Sequence, residues 1–372
     1  MMKSFLHAHA SGLTLNSLLS ECFDQLGDIP PEATLGFVYV SDTLSNELLT
    51  IITRLKEQTG IQNWIGSLGV GIIASNHEYY DQPAIAIMIA DFNEDDFRLL
   101  PNFTHDTELP EELKTWCTQH AFHVALVHGD PQNPGTQNML GQLAHHLPEA
   151  FLIGGLTSSR HTGYQIAGPI HHGGISGVVF SDQISISSNL TQGCSPVGTR
   201  HRITQSDRNI AYSLDDRPAL DVLNEECGDL ISRDWDRASG YIFIGLINTG
   251  ADTDDYTVRQ LVGIDEHARI FAIADHLETG SDLLFCRRDG SSAQDDMQRM
   301  LLAIKTRLKK PIRGGIYVSC LGRGREQFGQ NSEEARLIHS VLGEFPLVGF
   351  FASGEIHRNR LYGFTGVLTL FL

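Results

Sequence analysis

Apolar positions along the chain follow two rhythms that alternate. Gly36-Phe-Val-Tyr-Val-Ser-Asp42 is an apolar run ending in a polar turn, which predicts a buried strand. Leu44, Leu48, Leu49, Ile52 and Leu55 then recur at helical spacing, and Gly60 stops the helix. Residues 64–72 predict a glycine-marked strand, and residues 84–90 another. The same order returns downstream. Residues 124–130 read as a strand, a helix from Thr136 carries Met139, Leu140, Leu143 and Leu147, and residues 152–159 and 174–180 read as strands. Gly66 and Gly154 are 88 apart (154 − 66), as are Asp42 and Asp130 (130 − 42). Equal spacing over so long a unit is a repeat signal.

A third copy closes the chain. Residues 315–320 form an apolar strand ending in a glycine-spaced polar loop. A helix starts near Asn331 and stops at Gly343, residues 346–356 carry a second apolar run, and residues 361–372 form a closing strand. Between the second and third copies lie strands at 240–246, 268–274 and 282–286. A helix follows from the capping sequence Ser292-Ala-Gln-Asp295. This stretch is either a diverged copy of the unit or an insertion. Strand–helix–strand units with adjacent strand pairs predict a mixed α/β fold, with mixed sheets covered by helices. Two domains are expected, 1–215 and 216–372. The break falls at Leu214-Asp-Asp-Arg-Pro218, where Pro218 suits the first turn of a helix.

Composition narrows the classes. The 372 residues, 41% of them hydrophobic, suffice for two domains with real cores. A net charge of −18 repels phosphate backbones and anionic lipid, so no nucleic-acid or membrane partner is expected. The six cysteines form no Cys-x-x-Cys pair, which fits a reduced intracellular chain without structural zinc. No run reaches the roughly 18 apolar residues of a spanning helix, so a cytoplasmic location without membrane insertion is expected. Phosphate-loop, nucleophile-elbow, His-Glu-x-x-His and dinucleotide motifs are all missing from the sequence. The acidic Gly250-Ala-Asp-Thr-Asp-Asp255 lacks calcium-loop spacing.

If the two apolar runs of the third copy are parallel neighbours, their ends bring Cys320, Arg323, Ser353 and Glu355 together. Arg323, flanked by Gly322 and Gly324, can present a bidentate fork to an anion, or pair locally with Glu333, Glu334 or Glu355. Glu355 can receive an ammonium group or cap local backbone. With Arg323 it would suit an amino-acid zwitterion. Cys320 reads as a small strand-end residue, or as a nucleophile or redox switch. The turn Gln192-Gly-Cys-Ser-Pro196 can place Gln192 and Cys194 in an interdomain cleft or serve as a crossover. Gly154, Gly155 and Ser158 permit tight packing or a close ligand. His7-x-His9 points two imidazoles to one strand face, but no third ligand stands at a diagnostic spacing, so no metal site is expected. No catalytic residue is assigned.

The pattern Cys320-x-x-Arg-Gly, then Phe328-Gly329, a helix, and Pro346-Leu-x-Gly-x-x-x-Ser-Gly-Glu-Ile356 resembles the C-terminal part of FIST-domain proteins. Ser188-Asn-Leu-Thr-Gln-Gly-Cys-Ser-Pro-Val-Gly198 and Leu214-Asp-Asp-Arg-Pro-Ala-Leu220 resemble the junction of that family's two halves. Trp64-Ile-Gly-Ser-Leu-Gly69 and Leu152-Ile-Gly-Gly-Leu-Thr-Ser158 resemble glycine motifs of its N-terminal half. The resemblance implies a bacterial sensory, ligand-binding module, with amino acids as ligands. It implies output through a separate signalling protein, such as a histidine kinase or a cyclic-nucleotide enzyme. The expected ligand residues are Arg323, Glu355, Ser353, Gly354, Cys320, Gly324, Gln192 and Cys194. No cofactor is expected. Some members resemble haem-dependent nitric-oxide sensors, so non-covalent haem is one alternative; a Cys-dependent enzyme is the other.

Overall fold

The computed structural model describes residues 4–228, 240–247, 256–288 and 290–372. The acidic stretch 250–255 lies outside the described residues. The chain divides into two compact units. The first takes in Met1–Thr191, Gln298–Leu361 and Thr365–Leu372. The second takes in Gln192–Met297 and Tyr362–Phe364. The boundary expected at 215/216 therefore falls inside the second unit.

The first unit is one motif written three times. Each copy centres on a parallel strand pair: Leu35–Ser41 with Asn63–Gly69, Phe122–Gly129 with Phe151–Leu156, and Gly314–Cys320 with Leu347–Ala352. An antiparallel strand flanks each pair: Ala84–Ala90, Ile175–Ser181 and Thr365–Phe371. Beyond it lies an outer strand: Leu6–Ser11, Phe97–Phe103 or Ile186–Gln192. One helix leads into each parallel pair and a second joins its strands. They are Leu15–Leu26 and Leu48–Thr59, Glu111–Gln119 and Thr136–His146, and Gly290–Arg307 and Glu333–Leu342. Parallel neighbours need such crossovers.

The fourth side of each sheet comes from another copy. After its parallel strand, the first copy sends Gly71–Ala74 and His77–Tyr80 into the third sheet. The second copy sends Gln165–Ala167 and Ile170–His171 into the first sheet. The third sends Glu355–His357 and Arg360–Tyr362 into the second. The result is three six-stranded mixed sheets locked in a cycle.

One glycine per copy makes the parallel pairs possible. Gly66, Gly154 and Gly349 face Val38, Val127 and Tyr317 across the pair. A Cβ at these glycines would stand 1.7, 2.0 and 1.7 Å from the facing carbonyl oxygen. Gly154 and Gly349 are 195 apart (349 − 154), against 88 for the first two. The excess is, within a residue or two, the length of Gln192–Met297.

That segment is thus an insertion that runs from the end of the outer strand into the first turns of the first helix of the third copy. Among the described residues its seven strands pair antiparallel, from Cys194–Asp207 through Asp282–Arg288, Ile242–Ile247, Tyr256–Asp265 and Ile270–Ile273 to Ile210–Leu214. The last of these pairs back to Cys194–Asp207 and closes the ring, with Arg217–Pro218 appended. Closure removes open edges. Helix Ala219–Cys227 turns Ala219, Leu220, Val222 and Leu223 onto a core containing Ile203, Phe271 and Phe285. Pro218 stands just before that helix, one position ahead of the first turn in which the sequence placed it. Among the described residues no helix is long and apolar enough to cross a membrane.

Candidate functional site at the third strand pair

Cys320 faces Ala352 across the parallel pair, so the two strand ends meet. Strand carboxyl ends are the usual place for ligands in open α/β sheets. The polypeptide beyond Ala352 crosses directly to the second sheet. Ser353 N donates to Leu156 O at 3.0 Å and Leu156 N to Gly354 O at 2.8 Å, which fixes the path into Glu355. Ser353 is exposed, Cys320 half-buried, and Gly354 and Glu355 buried.

Arg323 does not point its fork outward. It is 1% exposed, and its Nε donates to Glu334 Oε1 at 2.8 Å. Of the two readings of this arginine, the local pair with Glu334 is the one formed. Glu334 sits in the first turn of helix Glu333–Leu342. It also accepts from Tyr317 OH at 2.7 Å, from Gly324 N at 2.8 Å, and from Ser319 Oγ, 3.0 and 3.1 Å from its two oxygens. Four donors and a helix N-terminus satisfy this carboxylate inside the protein. Phe328 closes the other face, its ring 4.9 Å from the Arg323 guanidinium carbon. Gly324 has φ +54°, and a Cβ there would meet Tyr80 Oη at 2.1 Å, so only glycine fits. Glu78, from the first copy's hairpin, takes Ala335 N at 2.9 Å and Tyr80 OH at 2.5 Å. Burial, then the Glu334 charge, push its pKa up to about 7.

Glu355 is different. Its Oε2 accepts from Thr365 N at 3.1 Å and Thr365 Oγ1 at 2.8 Å, while among the described residues Oε1 has no hydrogen-bond partner of good geometry. Burial raises its pKa to about 8, against the opposing pull of the Thr365 donors, the Arg323 charge and the Cys320 thiol. The threefold pattern explains the orphan oxygen. Glu355, Gln165 and Ile72 pair with Gly155, Ser67 and Phe350, each one residue past the repeated glycine. Gln165 is fully satisfied: Nε2 donates to Gly174 O at 3.0 Å and Oε1 accepts from Ser176 Oγ at 3.0 Å. Where the second copy has Ser176 opposite His128, the third has Val367 opposite Val318. The donor that completes Gln165 is thus replaced by a hydrocarbon. A buried acceptor without a donor costs free energy.

Gln192 and Cys194 belong to the second unit. Gln192 Nε2 donates to Tyr256 O at 3.0 Å, its N to Asp296 Oδ2 at 2.7 Å, and Cys194 packs with Phe243, Tyr256 and Cys286. Ser158 Oγ donates to Phe351 O and accepts from Val70 N at 2.8 Å, so its role in the fold is tight packing between copies. His7 and His9 share a strand face, but among the described residues no group of three His, Cys, Asp or Glu is placed to hold a metal ion. Tyr317, Ser319 and Thr365 escaped the sequence reading because each sits inside an apolar strand. Glu334 was visible only as one of three acidic neighbours.

Haem would need an imidazole facing an apolar slot. A cavity of about 550 Å³ has His105, His145 and His146 at its wall, but Asp106, Glu108 and Gln142 share it. His128 is wholly enclosed, its Nε2 3.2 Å from Tyr39 Oη and its ring 5.7 Å from Phe350. Neither place fits the group.

Interlocked mixed sheets with helices define a mixed α/β architecture, and the sequence comparisons give it a family. The chain belongs to the FIST family: the FIST N domain matches residues 34–217 and the FIST C domain residues 219–358. It is 29% identical over 321 residues to the uncharacterized protein Rv0628c of Mycobacterium tuberculosis, covering 83% of each chain. It is 28% identical over 321 residues to the uncharacterized protein Mb0898c of Mycobacterium bovis, covering 83% of this chain and 82% of the other. FIST domains are generally sensory domains of signal transduction.

Proposed function

We propose that the protein senses a small amine-bearing metabolite, an amino acid being the simplest, at the end of the third strand pair. Glu355 Oε1 carries this reading: a buried carboxyl oxygen that no donor of good geometry meets among the described residues, following a half-buried thiol and an exposed serine at the strand ends. An ammonium group would supply the missing donors and convert the carboxyl to its charged form. Cys320, Ser353 and Gly354 form the rim. Arg323 and Gly324 support the loop through Glu334 rather than meeting the ligand. The occupied state passes to a separate signalling protein, such as a histidine kinase or a cyclic-nucleotide enzyme.

A thermal-shift screen of amino acids, amines and amine-free carboxylates tests this. A ligand of the folded state at 100 times its Kd adds about 2.7 kcal/mol, enough to raise the melting temperature by a few degrees. Amines are expected to shift it and matched amine-free acids are not. A shift with the acids alone would contradict the assignment.

A further inference from the structure

We propose that Cys320 is a peroxide-reactive thiol whose oxidation is assisted by the Glu355 carboxyl and closes the site to amines. This deepens the reading above, because it assigns a regulation to the same site. It stands on two separate features. The first is a half-buried thiol at the strand end, with Gly322 N–H 3.5 Å from its sulfur and directed at it. The second is Glu355, fully buried, three residues beyond the Ala352 that faces Cys320, its Oε1 without a hydrogen-bond partner of good geometry among the described residues.

The chemistry balances within these groups and hydrogen peroxide. The Cys320 thiolate sulfur attacks one peroxide oxygen. An S–O bond forms and the O–O bond breaks. The departing hydroxide takes the proton of the Glu355 carboxyl and leaves as water. The sulfur gives up two electrons, and the peroxide receives them. The products are a sulfenic acid at Cys320 and a carboxylate at Glu355. A positioned acid that protonates the leaving oxygen is general acid catalysis. Glu355 fills that role near neutral pH because burial holds its pKa near 8. The Gly322 N–H meets the sulfur that attacks. Afterwards the sulfenic hydroxyl can donate to Oε1, the acceptor an ammonium would otherwise use. Oxidation and amine binding then exclude each other.

The fold offers an internal control. Cys117 is also half-buried, but its thiol is raised by burial alone to about 11. The full chain is treated with peroxide, sulfenic acid is trapped with dimedone, and each site is read by mass spectrometry. Cys320 is expected to label at least about tenfold faster than Cys117, and Glu355→Gln to slow Cys320 by about tenfold or more with Cys117 unchanged. Equal rates at the two cysteines, or an unchanged rate in a folded Glu355→Gln, would overturn the proposal. Should Glu355→Gln fail to fold, the pH profile of the unaltered protein decides. Loss of the carboxyl proton makes the Cys320 rate fall above pH 8, where an unassisted thiol speeds up. A rate that keeps rising would sink the idea. Amine affinity is measured separately with Cys320 reduced. Labelling without amine binding removes the ligand reading and leaves the thiol chemistry. Amine binding that survives oxidation of Cys320 undiminished removes the gating.

Discussion

Two buried carboxylates, twenty-one positions apart, differ in how many donors surround them. Glu334 has Arg323, Tyr317, Ser319 and Gly324 N–H around it. Removing one partner of a buried pair leaves an uncompensated charge. Arg323→Ala should therefore cost about 3–5 kcal/mol of stability in denaturant titrations, rather than lowering ligand affinity in an intact fold. A loss below about 1 kcal/mol, the scale of an exposed pair, would show that the pair is dispensable. Glu355 has only Thr365 on one oxygen. Its folded pKa of about 8 stands above the ordinary 4.5. Across that window the native state keeps a proton that the unfolded chain loses. The contribution of Glu355 to stability thus declines as pH rises from the lower value through the upper. Glu355→Gln keeps the neutral shape. Its stability relative to the unaltered protein should therefore grow between pH 5 and pH 8 in thermal melts. A difference constant with pH would contradict the raised pKa. His128 works at the other end: burial lowers its pKa from 6.5 to about 3. Its contribution is complete above pH 6.5 and is lost as pH falls through that window.

At the scale of elements, the parallel strands and their helices were legible because their periodicities are strong. The strand expected at 36–42 is Leu35–Ser41, the helix stop at Gly60 is a left-handed cap with φ 75°, and the helix from Thr136 starts there. The exchange of hairpins was not legible. Residues 64–72 read as one strand, yet Asn63–Gly69 and Gly71–Ala74 belong to different sheets. The run 346–356 divides in the same way at Ser353. Apolar content reports burial but not which partner provides it. The neighbours of Glu355 come from sequence positions 155 and 365, so its missing donor could not be read from local sequence. The repeated glycine gives the element-scale prediction. Gly349→Ala places a Cβ 1.7 Å from Tyr317 O and should abolish folding or cost several kcal/mol, seen as loss of soluble protein or of the cooperative melt. Gly141→Ala, on the exposed face of helix Thr136–His146 with nothing within 4 Å, should instead gain about 0.5–1 kcal/mol. Equal effects at the two glycines would refute the close-approach argument.

For the whole molecule, the two units hold separate cores. The second unit's cluster of Ile203, Leu220, Phe271 and Phe285 lies wholly within its closed ring. Multi-unit chains with separate cores depart from two-state unfolding. Calorimetry should resolve two transitions, and an amine ligand should raise only that of the first unit, which contains Cys320, Ser353 and Glu355. A ligand that moved the other transition alone would place its site in the closed ring. The central claim is that the unsatisfied carboxyl of Glu355 receives the ligand. The most direct test is calorimetric titration of an amine ligand near pH 7, in buffers of different ionisation enthalpy, under reducing conditions. Binding converts Glu355 from its protonated to its charged form, so the account predicts proton release in the unaltered protein. It predicts no release, and affinity at least about tenfold lower, in Glu355→Gln. Equal affinity for the two proteins with no proton exchanged would contradict it.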